Sequence, residues 1–399
     1  MLTVDPSGYE GPLDPALADS VPSTLRLVRA GAWPARLTRP LGIGDLGLRA
    51  FEGLWREATQ LVAREAIDAV FITIYPTYPG LLGPLLKRRF NVPFALDYQD
   101  PWVGEWGRTV GAGNGSAPDA KSRTSRWLAV HLEPIALRAA DAVTAVSTAT
   151  YEQALERHGI ARPRASAELP IGWDERDVEF LRRRARRSPL LFARGDGLVH
   201  VAYVGTLLPT GLDTLRAVCA GWSRWRGHDP AAAGRLRMHF IGTSNQRSGG
   251  AARVLPIAQE FDLAGFVTEH PDRLDYFDAL QTLDDADAVL IMGSSEPHYT
   301  PSKLYPAMAS GRPMLAIYHA SSTATGLLRR FGRAPAVRLI TYDDGSPAGA
   351  HVDQIATQLC ELVRAPRYDA TDVDRRALDD VSAPALAARL AGVLERIAR

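Results

Sequence analysis

The chain has 399 residues, more than one hydrophobic core ordinarily supports, so two domains of about 200 residues each are expected. Hydrophobic residues make up 46% and charged residues 23%, which is ordinary soluble-globular usage. The net charge of +1 creates no global field that would demand nucleic acid or an acidic partner. Cys219 and Cys360 make neither a disulfide framework nor a zinc cluster. In their apolar helical surroundings they read as buried small hydrophobes, and they fit a reducing cytoplasm. No stretch reaches the roughly 20 apolar residues that span a bilayer. The opening Met1-Leu-Thr-Val-Asp-Pro6 has no basic region followed by an apolar run, so no secretory signal is read.

In chain order, residues 2–4 and 25–28 are strand-like, and 51–65 carry apolar residues at helical spacing (Leu54, Ala58, Leu61, Val62). Residues 68–75 form a continuous apolar run that reads as a strand buried on both faces. A helix over 81–89, a strand over 93–98, a helix over 127–140 and a strand over 142–146 follow. The alternation predicts βαβ units and a parallel sheet. It breaks near Asp174. The basic run from Arg182 to Arg187 fits a solvated linker helix, or less readily attraction to anionic lipid head groups. Boundaries of 1–174, 175–197 for the linker and 198–399 follow. The second half restarts with strands over 199–204, 236–241, 266–270, 286–291 and 313–318, and with helices over 212–225, 274–283, 302–310 and 385–397. No repeat appears, and the only low-complexity segment is the Gly/Ser-rich loop at 111–116.

Ligands of open parallel sheets bind beyond the carboxyl ends of the strands. In the second half those ends carry Gly205-Thr206, Gly242-Thr243-Ser244, Glu269-His270 and Gly293-Ser294-Ser295, small residues that let a ligand approach backbone N–H groups. The most informative segment runs from Glu296 to Pro313. Tyr299, Thr300, Ser302 and Lys303 cluster where a helix is expected to start, with Pro306 in its first turn. Free N–H groups, hydroxyls and an ammonium together fit a diphosphate. Ser302 reads equally as a plain N-cap.

At these residues the chain resembles the family 4-type (group 1) glycosyltransferases of the GT-B fold. Asp97-Tyr-Gln-Asp-Pro-Trp102 is similar to the family's Asp-x-Arg-Asp-x-Trp. Ala140-Asp-Ala-Val-Thr-Ala-Val-Ser147, Pro170-Ile-Gly-Trp-Asp174 and Tyr203-Val-Gly-Thr206 match further motifs, and Pro301-Ser-Lys-Leu-Tyr305 with Ser310-Gly-Arg-Pro313 resembles the nucleotide-sugar loop. Each motif is loose, but they occur in the family's order along nearly the whole chain. The resemblance implies an α/β fold of two Rossmann-like domains with parallel sheets facing across a cleft. It also implies transfer of a sugar, with retention, from a nucleotide-sugar bound by the second domain to an acceptor hydroxyl held by the first. It implies no cofactor beyond the co-substrate, no metal, and a glycan, lipid-linked or small-molecule acceptor. A cytoplasmic location follows, with peripheral contact at the inner membrane face left open. Lys303 would then stabilise the departing diphosphate.

Three departures stand out. The family's two glutamates that flank the donor loop fall on His298 and Pro306, with Glu296 two residues earlier. The Arg and Lys that follow the donor domain's first strand are missing from Gly205-Thr-Leu-Leu-Pro-Thr-Gly211, so Lys303 carries more of the charge or an arginine comes from elsewhere. The chain also opens at what resembles the family's second strand, which places a first strand and a Gly-rich loop upstream of Met1.

Asp100 reads as the group that positions the acceptor hydroxyl, or as a turn residue before Pro101. His298 reads as a donor-orienting residue or an exposed loop histidine. His270 and Glu269 point to the base-binding edge. Trp102 and Trp106 read as packing sooner than sugar platforms, Asp174 as stabilising the linker turn, and His131 as packing. The donor-binding set is Gly205, Thr206, Gly242, Thr243, His270, Glu296, Tyr299, Thr300, Ser302 and Lys303, with Asp100 and His298 as catalytic candidates. The alternatives are a catalytically inactive sugar-nucleotide-binding or partner protein, and a GT-B epimerase.

Overall fold

The computed structural model describes residues 1–11, 13–104, 120–184, 191–244, 246, 248–293 and 302–398. The chain divides into two compact units, Met1–Pro170 with Leu386–Arg399, and Ile171–Ala385.

In the first unit, β1 (Leu2–Val4) pairs in parallel with β2 (Val28–Ala30). A separate parallel sheet joins β3 (Val70–Thr73), β4 (Phe94–Tyr98), β5 (Ala142–Ala145) and β6 (Ala165–Glu168) in that order. Every residue of β4 and β5 is buried, as strands covered on both faces require. On one side, helix Leu46–Arg64 buries Ala50, Gly53, Leu54 and Ala58 along one stripe. This helix begins before the apolar period does because Asp45 caps it, accepting from the Leu48 N–H at 2.9 Å. On the other side, Val393 and Ile397 pack on Ala95, Ala142 and Ala165. Three small residues side by side on the sheet make room for the C-terminal helix Ala383–Ala398. That helix therefore belongs with the first unit from Leu386 onward, whereas the sequence assigns it to the second domain. Asp97, within β4, accepts from Thr144 Oγ1 of β5 at 2.6 Å and from Gln99 Nε2 at 2.6 Å. Its carboxylate ties the strands together.

In the second unit, β7 (Val199–Val204), β8 (Leu236–Ile241), β9 (Val267–His270), β10 (Ala288–Met292), β11 (Met314–His319) and β12 (Val337–Tyr342) form a parallel sheet. The order is β12-β11-β10-β7-β8-β9, so the winding reverses between β7 and β10. Helix Leu212–His228 brings Leu215, Val218 and Trp222 onto Val201, Tyr203 and Phe240, and helix Val352–Arg364 adds Ile355 and Leu359 to the same core. Cys219 is buried in that core, and burial pushes its thiol up to about 12. Cys360 is half-buried against it.

Much of the expected linker is ordered structure of this unit. Helix Glu175–Arg183 is capped by Asp174, which accepts from the Arg176 N–H at 2.9 Å. The Tyr276 hydroxyl donates to Asp177 at 2.8 Å, and Trp173 Nε1 donates to the Leu378 carbonyl at 2.8 Å. Within the basic run, Arg183 pairs with Glu179 and Arg184 with Asp278; positions 185–187 lie outside the described residues.

Two histidines are buried where β7 meets β8. His200 Nδ1 lies 2.9 Å from His239 Nε2, Asp196 lies 3.2 Å from His200 Nε2, and Thr268 Oγ1 lies 3.0 Å from His239 Nδ1. One hydrogen-bonded chain thus runs from Asp196 through His200 and His239 to Thr268. Phe192 stacks on both rings. Burial, followed by the charges of His200, His270 and Arg237, pushes His239 from 6.5 down to about 4. A histidine held neutral binds fewer protons folded than unfolded, so it stabilises the fold at neutral pH and that stability drains as pH falls through about 6.5. Urea unfolding should show a loss of about 2 kcal/mol between about pH 7.5 and pH 5, and His239→Asn should remove most of that slope.

Candidate functional site

The reversal between β7 and β10 makes the carboxyl ends of those strands the natural crevice. β7 runs out at Gly205, whose φ is +129°, a backbone region that L side chains rarely enter. The Gly205 N–H donates to the Ile241 carbonyl at 2.8 Å and the Leu207 N–H to the Thr243 carbonyl at 2.9 Å. Gly242 has φ +69° and donates to the His270 carbonyl at 2.8 Å. Backbone bonds thus continue past the strand ends and hold the turns of β7, β8 and β9 together.

Lys303 reaches this turn from across the sheet. Helix Leu304–Ala309 buries Leu304, Tyr305, Ala307 and Met308, which fixes the residue just before it. A Cβ on Gly205 would sit 3.1 Å from Lys303 Cδ, so the glycine leaves the space that the lysine stem uses. Lys303 Nζ donates to the Thr206 carbonyl at 2.9 Å, contacts the Tyr203 hydroxyl, and lies 4.2 Å from the centroid of the Tyr203 ring. Burial alone pushes its pKa down to about 7. Among the described residues no carboxylate pairs with this ammonium, and a desolvated cation of that kind suits an anion.

The structure brings Gly205, Thr206, Gly242 and Lys303 together. Thr243 is buried beside them, but its hydroxyl donates to Glu269 at 2.6 Å. Glu269 also accepts from the N–H groups of Arg253 at 2.9 Å, Val254 at 2.9 Å and Leu255 at 3.0 Å. Its carboxylate is taken up by the architecture. His270 is half-buried at the end of β9, with its carbonyl bound to Gly242. Ser302 is exposed, and the helix starts at Leu304 with no side-chain cap, two residues later than expected. Glu296, His298, Tyr299, Thr300 and Pro301 lie outside the described residues.

In the first unit, Asp100 lies on exposed chain just after β4, and partial withdrawal of its carboxyl from water raises its pKa. Trp102 is buried edge-on to Tyr78, with ring centroids 6.4 Å apart, so it packs as expected. Trp106 lies outside the described residues. His131, read from sequence as packing, is instead exposed, with its Nδ1 2.7 Å from the Trp127 carbonyl and its ring tilted against Trp127, centroids 4.3 Å apart. Four-residue spacing put both rings on the outer stripe of helix Ala120–Ala139.

Sequence reasoning missed Arg253, whose Nη1 donates to the Leu207 carbonyl at 2.7 Å. It stands in an irregular stretch, Ser248-Gly-Gly-Ala-Ala-Arg253, where no periodicity or motif marks it.

Residues 2–168 match the family described as a glycosyl transferase 4-like domain. No curated protein matches the sequence. Among solved structures, the chain is similar to sucrose-phosphate synthase from Thermosynechococcus elongatus, with 17% identity over 93% of this chain and 83% of that one, at a TM-score of 0.57. The HepE protein of Anabaena, solved in complex with UDP-glucose, shares 16% identity over 99% of this chain and 98% of its own, at 0.59. An α,α-trehalose-phosphate synthase (UDP-forming) from Burkholderia vietnamiensis shares 14% over 88% and 76%, at 0.57. The chain has the GT-B fold of two parallel-sheet, Rossmann-like units that these structures share, and within it residues 2–168 match the glycosyl transferase 4-like domain family. Among the described residues, no helix is long and apolar enough to cross a membrane.

Gly205 gives a direct check on this geometry. Gly205→Ala forces an alanine into φ +129° and should cost about 1–3 kcal/mol in urea unfolding. The same change at Gly227, where a Cβ meets nothing within 4 Å and the backbone is helical, should leave stability equal or raise it.

Proposed function

We propose that the second unit binds a nucleotide-activated sugar, with the diphosphate over the Gly205–Thr206 turn and against Lys303, and that the sugar passes to an acceptor hydroxyl. The observation that carries this reading is the Lys303 ammonium, buried against the Gly205–Thr206 turn at the reversal point of the sheet with no carboxylate paired to it among the described residues. UDP-sugars are the favoured donor class, because HepE was solved with UDP-glucose and the trehalose-phosphate synthase is UDP-forming.

In the reaction the bond between the sugar's anomeric carbon and the diphosphate oxygen breaks, and its electron pair leaves on that oxygen. The acceptor oxygen bonds to the anomeric carbon and gives up its proton. Lys303 stabilises charge that grows on the leaving group, as a preorganised cation in a dry site does best. This reading assigns the leaving-group charge to protein groups, with no bound metal and no cofactor beyond the co-substrate. Asp100 orients the acceptor hydroxyl, and its raised pKa makes it a better proton acceptor than an ordinary aspartate. Retention of anomeric configuration, a bacterial glycan or glycolipid acceptor and a cytoplasmic location complete the proposal. They rest on the family resemblance.

Thermal stability against UDP-, GDP-, ADP- and dTDP-sugars tests the donor site. The UDP series should raise the midpoint, corresponding to about 2.7 kcal/mol at a hundredfold excess over the dissociation constant, and Lys303→Met should abolish the rise. A folded wild-type chain that no nucleotide stabilises would sink the reading. Stabilisation by UDP-sugars without UDP release across acceptors would instead favour a sugar-nucleotide-binding protein.

The pH dependence follows from the same lysine. Below about 7 the amine is already protonated. Above it, each pH unit makes protonation on binding cost about tenfold, until the pKa of the bound state is reached. UDP affinity measured by calorimetry should therefore fall as pH rises past about 7, and Lys303→Arg, which stays charged, should flatten the fall.

A further inference from the structure

The turn after β7 receives a second cation. Arg253 Nη1 donates to the Leu207 carbonyl at 2.7 Å, one residue along from the Thr206 carbonyl that receives Lys303 Nζ at 2.9 Å. The two groups come from segments 50 residues apart in sequence and meet on consecutive carbonyls of one turn. Among the described residues, no carboxylate pairs with the Arg253 guanidinium. Arginine has five N–H donors, and a single carbonyl leaves most of them for another acceptor.

The backbone of Arg253 is fixed with unusual care. Glu269, buried at the end of β9, accepts from the N–H groups of Arg253, Val254 and Leu255 and from the Thr243 hydroxyl, all within 3.0 Å. Four hydrogen bonds saturate that carboxylate, so it holds the arginine's main chain without serving as counter-ion to its head. Thr243 in turn accepts the Leu207 N–H through its own carbonyl at 2.9 Å. The Leu207 turn and the Arg253 main chain are thus tied to the same buried carboxylate through short, direct links.

We propose that Arg253 is the second cation that grips the donor diphosphate, with Glu269 as its positioning residue. The inference rests on the donor site read around Lys303. It accounts for the charge that the segment from Gly205 to Gly211 lacks: the guanidinium arrives from the loop after β8. A planar fork also suits a phosphate better than an ammonium, since two parallel N–H groups can reach two oxygens.

The test is calorimetric binding of UDP against uridine, with the ADP, GDP and dTDP pairs run alongside, in wild type, Arg253→Ala, Arg253→Lys and Lys303→Met. Arg253→Ala should weaken UDP by about ten- to a hundredfold and leave uridine within about twofold. Arg253→Lys should recover part of the loss, because it keeps the charge but not the fork. The melting temperature of each free variant reports on the fold, and Arg253→Lys keeps the test open should Arg253→Ala fail to fold. A purely structural arginine would weaken UDP and uridine by the same factor, and that result overturns the proposal. So does unchanged UDP affinity in Arg253→Ala when Lys303→Met abolishes it. A wild-type chain that binds none of the diphosphates overturns the donor site itself, and this inference with it.

Discussion

Everything distinctive in the second unit depends on one unfavourable arrangement, an ammonium taken out of water with no anion paired to it among the described residues. Among the described residues, Lys303 has a backbone carbonyl, a phenol and an aromatic face as partners. These satisfy hydrogen bonds but return little of the lost solvation, and its pKa falls accordingly. The fold sustains this because the residues around it are over-determined. Leu304 and Tyr305 are buried immediately after the lysine. Gly205 makes space for its stem, and the turn beneath is laced to β8 by two backbone bonds. A local cost of this kind, held in place by the rest of the domain, is the usual signature of a functional site.

Glu269 performs the opposite task. Buried carboxylates are stable when their lone pairs are saturated, and this one is saturated by three consecutive amides and a hydroxyl. It converts an irregular stretch after β8 into a fixed platform and caps the approach to helix Leu255–Glu260. The two charged groups therefore divide the work. One is saturated and builds the frame, and the other is held within it at a cost in solvation.

Much of this was legible in the sequence, and the boundary of legibility has a physical basis. Runs such as Val199–Val204 and Met314–His319 are buried at nearly every position, so composition alone marks them as interior strands. Lys303 stood out as a lysine beside small polar residues at a strand-to-helix junction, and the structure buries it against the Gly205–Thr206 turn. β12 was not, since Arg338 and Thr341 interrupt its apolar run, and the Arg338 stem is buried while its head reaches a main-chain carbonyl. Helix Ala120–Ala139 begins well before the expected position, because its first turns carry no buried residues. The C-terminal helix was found but assigned to the wrong unit; sequence periodicity reports that a helix has an apolar face, and not which sheet the face meets. Arg253 and Glu269 were illegible or misread for the same reason. Their roles come from hydrogen bonds between segments far apart in the chain.

The two units use one architectural rule to opposite chemical ends. Each is a parallel sheet whose reactive groups follow strand ends, as the geometry of such sheets favours. In the first, the exposed segment after β4 carries Asp100, whose carboxyl is partly withdrawn from water and so holds a proton more readily. In the second, the turn after β7 receives the Lys303 ammonium, which is withdrawn from water and so releases a proton more readily. The same physical cause, desolvation, moves an acid up and a base down. Each group is thereby made more responsive to whatever charge is brought beside it. Desolvation acts with opposite sign in the two units because it always disfavours the charged form, which is the base for a carboxyl and the acid for an amine.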